Sequence, residues 1–152
     1  MIPFSKTQIQ DLDSDFIIES LSTEKIEGGG IFYEKALDLL RDEGFNNHLL
    51  TTSCTSALEI ISILGRFDSN DEIIMPSYTF VSSANPFVLR GAKPVFVDVS
   101  IKDMNINPDL IENAITSKTK AILVVHYGGV SCDMKKITKI AKRHNLILIE
   151  DA

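Results

Sequence analysis

Five short apolar runs, spaced so that a helix fits between successive members, most constrain what this chain can fold into. They fall at 48–52, 72–75, 94–99, 121–125 and 146–149, with helix-length stretches at 55–66, 80–90, 108–115 and 135–144 between them. The runs AILVV and LILI are apolar on successive residues, so a strand made from either buries both of its faces. Strands of that kind belong to parallel sheets covered by helices on both sides. The expected fold is α/β: a mostly parallel sheet flanked by helices.

Ligands of such sheets gather at the carboxyl ends of the strands. That rule turns the residues following each run into a list of candidates. The first run is followed by Ser53-Cys54-Thr55-Ser56 and the second by Pro76-Ser77-Tyr78-Thr79-Phe80. Asp98 comes at the third, His126-Tyr127-Gly128-Gly129 after the fourth and Glu150-Asp151-Ala152 after the fifth. In the first of these turns, hydroxyl residues precede a stretch in which Leu58, Ile61 and 63–64 fall at helical spacing. Ser56 and Glu59 fit a capping box, which predicts a helix beginning near Ser56. The unpaired N–H groups and partial positive charge of a first helical turn suit a phosphate. The same residues also serve ordinary capping, and this stretch by itself does not choose.

Ahead of the rhythm, residues 7–22 carry Ile9, Leu12 and Phe16 at helical spacing, and 31–43 carry Phe32, Ala36, Leu39 and Leu40. Between them, KIEGGG interrupts the pattern. Gly28, Gly29 and Gly30 permit backbone angles closed to other residues, as either a flexible linker or a loop that hugs a ligand. There is no internal repeat and no low-complexity segment.

Composition excludes several functions. A formal charge of −6 with scattered basic residues argues against a nucleic-acid partner. No apolar run approaches a membrane span, and the start has no apolar signal core. Cys54 and Cys132 form neither a metal motif nor a disulfide framework, and a reduced cytoplasmic setting is expected. His48, His126 and His144 lack ligand spacing, so no metal site is expected. The last buried run ends in a polar pair with no helix after it. The chain is therefore expected to be an N-terminal piece of something longer.

The blocks SCTSALE, DEIIMPSYTFVSSANPFVLRGAKPVFVDVS, MNI, VHYGGVSCDM and AKRHNLILIEDA, in that order, resemble the DegT/StrS-type nucleotide-sugar aminotransferases. These are pyridoxal 5'-phosphate (PLP) enzymes of the aspartate-aminotransferase fold, fold type I. The resemblance implies an incomplete large domain. Residues 1–30 would supply an N-terminal helix and glycine-rich loop, and 31–152 the N-terminal part of the PLP-binding domain. The rest of that domain and a small C-terminal domain would lie beyond Ala152.

The resemblance also implies roles. Backbone N–H groups of Thr55 and Ser56 would hold the cofactor phosphate, with Cys54 beside them as a small apolar filler. Phe80 would stack on the pyridine ring, the alternative being a core residue of the next helix. Asp151 would pair with the pyridine nitrogen; without the resemblance it is a strand-end turn residue. Glu150, its neighbour on a strand, would point the other way. His126 would line the cofactor pocket or serve as a hydrogen-bonded structural residue, and Gly28–Gly30 would face substrate.

The implied reaction is transamination of a keto-sugar nucleotide, dTDP-4-keto-6-deoxy-D-glucose to dTDP-4-amino-4,6-dideoxy-D-galactose. L-glutamate would be the donor, and the pathway would be lipopolysaccharide or surface-polysaccharide synthesis by a homodimer. The family's Schiff-base lysine would lie beyond Ala152, so residues 1–152 alone are expected to be inactive. Relatives with His at that lysine are dehydratases dependent on pyridoxamine phosphate (PMP). A non-catalytic sensor of the same fold is another alternative. A dinucleotide-binding module ranks below these, because SCTS stands where Gly-x-Gly-x-x-Gly would follow the first strand.

Overall fold

The computed structural model describes residue 3, residues 6–23 and residues 28–152. It forms two compact units, Met1–Leu50 and Thr51–Ala152. In the first, helix α1 spans Asp11–Ser22 and α2 spans Ile31–Asp42. The Asp13 carboxylate accepts from the Gln10 N–H at 2.8 Å and closes the start of α1. Phe16 meets Phe32 edge to face at 5.9 Å, and Lys35 pairs with Glu19 at 3.3 Å. The helix begins at Asp11, after Ile9, and the apolar residues read at helical spacing, Ile9, Leu12 and Phe16, are exposed. The part of the glycine-led interruption at 25–27 lies outside the described residues.

The second unit holds the sheet. Strands β1 (Glu72–Pro76), β2 (Lys93–Val97), β3 (Thr119–Val125) and β4 (Ile147–Asp151) are parallel, in the order β2-β1-β3-β4. Helices α3 (Cys54–Leu64), α4 (Asn85–Leu89), α5 (Pro108–Ala114) and α6 (Met134–Arg143) accompany them. The expected α/β fold with both sheet faces covered is what the chain forms.

Strand periodicity explains the two cores. Ile73, Met75, Ala121, Leu123 and Ile149 point to one face and pack with Leu58 of α3, Phe67 and Phe87 of α4. Ile74, Ile122 and Val124 point to the other and pack with Ile111 of α5 and Ile137, Ile140 and Ala141 of α6. Phe67 and Phe87 meet edge to face with centroids 4.9 Å apart. Truncating a fully buried residue such as Ile122 to Ala would cost about 2–5 kcal/mol. After α4 the chain turns at Gly91 with φ +95°, where an added Cβ would sit 3.2 Å from the Ser69 backbone nitrogen.

Three expectations fail. The run at 48–52 forms no strand, because a strand needs a neighbour for its ladder and no described strand pairs with it. The first strand is therefore 72–76, and the sheet has four described strands rather than five. The helix expected over 80–90 is broken into a 3₁₀ turn at Val81–Ser83 and the short α4. Pro86, which lacks an N–H, is tolerated only near a helix start, so α4 begins at Asn85. Helix α3 starts at Cys54, capped by Ser53, and not at Ser56.

Candidate active site

The cap of α3 sets the first wall of the site. Ser53 is extended (φ −162°), and its Oγ accepts from the Ser56 N–H at 3.1 Å. That places Ser56, not Glu59, at the third helical position, so the Ser56–Glu59 capping box does not form. The Ser56 amide is thereby engaged by Ser53. Thr55, one residue earlier, lies in the first turn, whose donors lack intrahelical acceptors. Thr52, Ser53 and Ser56 link hydroxyls at 3.1–3.3 Å and stiffen the turn.

The second wall is the end of β4. The Asp151 carboxylate accepts from the Cys54 thiol on Oδ1 at 3.1 Å and from the Ser83 hydroxyl on Oδ2 at 2.6 Å. The hydrogen bond to Asp151, then burial and the carboxylate's charge, push the Cys54 thiol above its ordinary pKa. No described Lys, Arg or His pairs with Asp151. Among the described residues its side-chain partners are a thiol and a hydroxyl, both neutral donors.

Between these walls lies a cavity of about 380 Å³, lined by Cys54, Thr55, Thr79, Phe80, Ser82, Ser83, Val125, Tyr127 and Asp151. That volume falls within the ~300–1,000 Å³ of small-molecule sites. Phe80, which precedes the 3₁₀ turn, is 75% exposed, so its ring is not a core residue of α4. The Tyr127 hydroxyl lies 3.0 Å from that of Tyr78, a contact that raises the Tyr127 pKa. Buried Asn105 holds the Tyr127 loop, accepting from the Tyr127 N–H and donating to the Val130 carbonyl, each at 3.0 Å.

His126 does not line this cavity. Its Nδ1 accepts from the Cys132 N–H at 3.1 Å, which leaves the ring proton on Nε2 to donate to Glu150 Oε2 at 3.0 Å. Glu150 therefore meets His126 while Asp151 turns to the cavity, as strand alternation requires. Gly28, Gly29 and Gly30 belong to the other unit, immediately before α2, where Gly30 is the N-cap. Among the described residues no group of His, Cys, Asp and Glu is arranged to hold a metal.

The cavity suits a cofactor with an anionic tail and a basic heteroaromatic nitrogen. Thr55 stands at a helix N-terminus, and Asp151 is an acceptor short of a cation. The Cys54–Asp151 contact ties the two places together. Five lining residues, Thr79, Ser82, Ser83, Val125 and Tyr127, carry no role in the sequence reading, although Thr79 and Tyr127 stand among its strand-end candidates.

A parallel α/β sheet with a helix N-terminus and a strand-end carboxylate on one cleft is the large-domain architecture of fold-type-I, PLP-dependent transferases. The chain belongs to the DegT/DnrJ/EryC1/StrS aminotransferase family, whose pattern matches residues 32–152. It is 33% identical over 151 residues to the spore coat polysaccharide biosynthesis protein SpsC of Bacillus subtilis, covering 99% of this chain and 39% of SpsC. Among solved structures it resembles NtdA from Bacillus subtilis, which holds the cofactor PMP. The identity is 34% and the TM-score 0.82, over 95% of this chain and 34% of NtdA. It also resembles the E. coli GDP-4-keto-6-deoxy-D-mannose-3-dehydratase with bound hydrated PLP. That match has 25% identity and a TM-score of 0.88, over 99% of this chain and 40% of the dehydratase. The chain thus spans about two fifths of these relatives.

Proposed function

We propose that residues 31–152 are the N-terminal part of the cofactor domain of a PLP-dependent sugar aminotransferase, with the helix and glycine-rich loop of 1–30 ahead of it. The whole protein passes an amino group from an amino acid, L-glutamate, to a keto-sugar nucleotide. We assign dTDP-4-keto-6-deoxy-D-glucose as acceptor and dTDP-4-amino-4,6-dideoxy-D-galactose as product. The observation that carries this reading is the Asp151 carboxylate, held by two neutral donors in a cleft shared with the α3 N-terminus.

PLP, when bound, supplies an electron sink for the charge left when the substrate's Cα proton departs. The chain's own residues set up that chemistry. The Thr55 amide, with its neighbours in the α3 turn, receives the phosphate. Ser56 contributes through the cap, its own amide being bonded to Ser53. Phe80 offers an aromatic face to the ring. The Asp151 carboxylate would meet the pyridine nitrogen and favour its protonated form. Cys54 fixes Asp151 Oδ1 and is not a nucleophile, because its hydrogen bond to Asp151 keeps the thiol protonated. His126 is assigned a structural role behind Asp151, through Glu150 and Cys132. No lysine lines the cleft among the described residues, so the Schiff-base lysine is assigned to sequence beyond Ala152.

SpsC's name supports a place in surface-polysaccharide synthesis. No described helix is long and apolar enough to cross a membrane; we assign the whole protein to the cytoplasm, as a homodimer. The test is to incubate the full-length protein with PLP, L-glutamate and the keto-sugar nucleotide, and to identify the products by mass spectrometry. An amino sugar with matching 2-oxoglutarate is expected. A 3-deoxy sugar would instead assign the dehydratase chemistry of the E. coli relative, and no turnover of any keto-sugar nucleotide would favour a non-catalytic protein.

A further inference from the structure

Asp151 is anchored by two hydroxyls in series from the segment after β1. Ser83 Oγ donates to Asp151 Oδ2 at 2.6 Å, and Thr79 Oγ1 lies 2.8 Å from Ser83 Oγ. An ionised carboxylate only accepts, and a serine has one proton to give. The direction is therefore fixed: Thr79 donates to Ser83, and Ser83 donates to Asp151. Ser83 is 1% exposed, so its hydroxyl has no water to fall back on. The 3₁₀ turn at Val81–Ser83 and α4 behind it set its position. Cys54 holds the other carboxylate oxygen, so the plane of the group is fixed from both sides.

We propose that Ser83 is a positioning residue that keeps the shared proton on the cofactor's pyridine nitrogen instead of on Asp151. A hydroxyl donated to a carboxylate favours its charged form, and a charged Asp151 leaves the proton on its partner. Thr79 contributes the same effect one bond further out, by orienting and polarising the Ser83 hydroxyl. The inference rests on the assignment of Asp151 to the ring nitrogen, and the experiment separates the two.

The full-length protein is loaded with PLP carrying ¹⁵N in the ring, and the ¹⁵N chemical shift reads the protonation of that nitrogen directly. The wild type is expected near the protonated limit and Asp151→Asn near the neutral one. Ser83→Ala is expected to move about a third or more of the way between them, and Ser83→Thr, which restores the hydroxyl, to return to the wild-type position. A merely structural serine would change the melting temperature and leave the ¹⁵N position where it was. If Asp151→Asn does not move the signal, the Asp151 assignment falls and this inference with it. If Asp151→Asn moves it and Ser83→Ala does not, the inference alone is overturned. Should Ser83→Ala fail to fold, Thr79→Val is the deciding variant: a smaller displacement in the same direction supports the proposal, and none refutes it.

Discussion

At the amino ends of the strands, carboxylates are met by cations, and at the carboxyl ends the key carboxylate is not. Glu72 accepts from Thr116 at 2.6 Å and from Lys93 at 3.3 Å, and Asp71 pairs with Lys120 at 2.7 Å. Lys120 also donates to the Arg66 carbonyl at 2.8 Å and lies over the Phe67 ring. Asp151, at the other end of the same sheet, is bonded to a thiol and a hydroxyl. Asp151 is half-buried, and withdrawing a charge from water even in part without a counter-charge costs free energy. One end of the sheet thus pairs its carboxylates with lysines, while at the other the Asp151 carboxylate meets only a thiol and a hydroxyl among the described residues, which fits the proposed pairing with a ring nitrogen.

Substitution at each end would break this comparison in a different observable. The largest effect is expected from Asp151→Asn in the full-length protein: a loss of about 10²–10³ in kcat, with little change in the melting temperature of the apo form. A stability loss without a loss of turnover would place Asp151 with the lysine-paired end. Lys120→Met should do the reverse, costing about 1–2 kcal/mol in urea unfolding while leaving PLP affinity unchanged. Ser53→Ala removes the α3 cap and should cost about 1 kcal/mol. It should also weaken PLP binding, because the turn proposed to receive the phosphate loosens; unchanged binding would detach the cap from the site.

The smallest effect is a pH dependence at the lysine-paired end. The Thr116 hydroxyl, then Lys93, hold the Glu72 carboxyl below its ordinary pKa. A folded value below the unfolded one, about 4.3, adds stability that is complete above that value. It is lost as pH falls through the folded value. Thr116→Val should therefore lower the melting temperature at pH 7, and the gap to wild type should narrow as pH is taken below the carboxylate range. A gap constant with pH would show that Thr116 acts through its turn and not through Glu72.

The sheet was legible because its evidence is local. AILVV and LILI announce strands buried on both faces, and all four described strands fall within about two residues of the expected runs. The stretch at 48–52 misled because apolar composition does not reveal whether a neighbouring strand exists. The cap moved from Ser56 to Ser53 because both serines satisfy a local rule and only one sits in extended backbone. That Asp151, Thr55 and Phe80 line one cleft was readable from strand-end positions and family blocks; their roles toward a cofactor are proposals. Ser83 was not, since its partner lies 68 residues away and no spacing rule links the two. Tyr127 stood among the strand-end candidates without a role, because its neighbour His126 is the more reactive residue type; that His faces the other side of the strand's end.

The alternation at the end of β4 carries one more consequence. Glu150 and Asp151 are adjacent in the chain but serve opposite surfaces, one bonded to His126 and the other to the cleft. Deleting or inserting a single residue within β4 would exchange them, sending the longer acid toward the cleft and the shorter one toward the imidazole. Both contacts would be lost at once, although the count of acidic groups stays the same. This segment should therefore tolerate conservative replacements far better than any change of length.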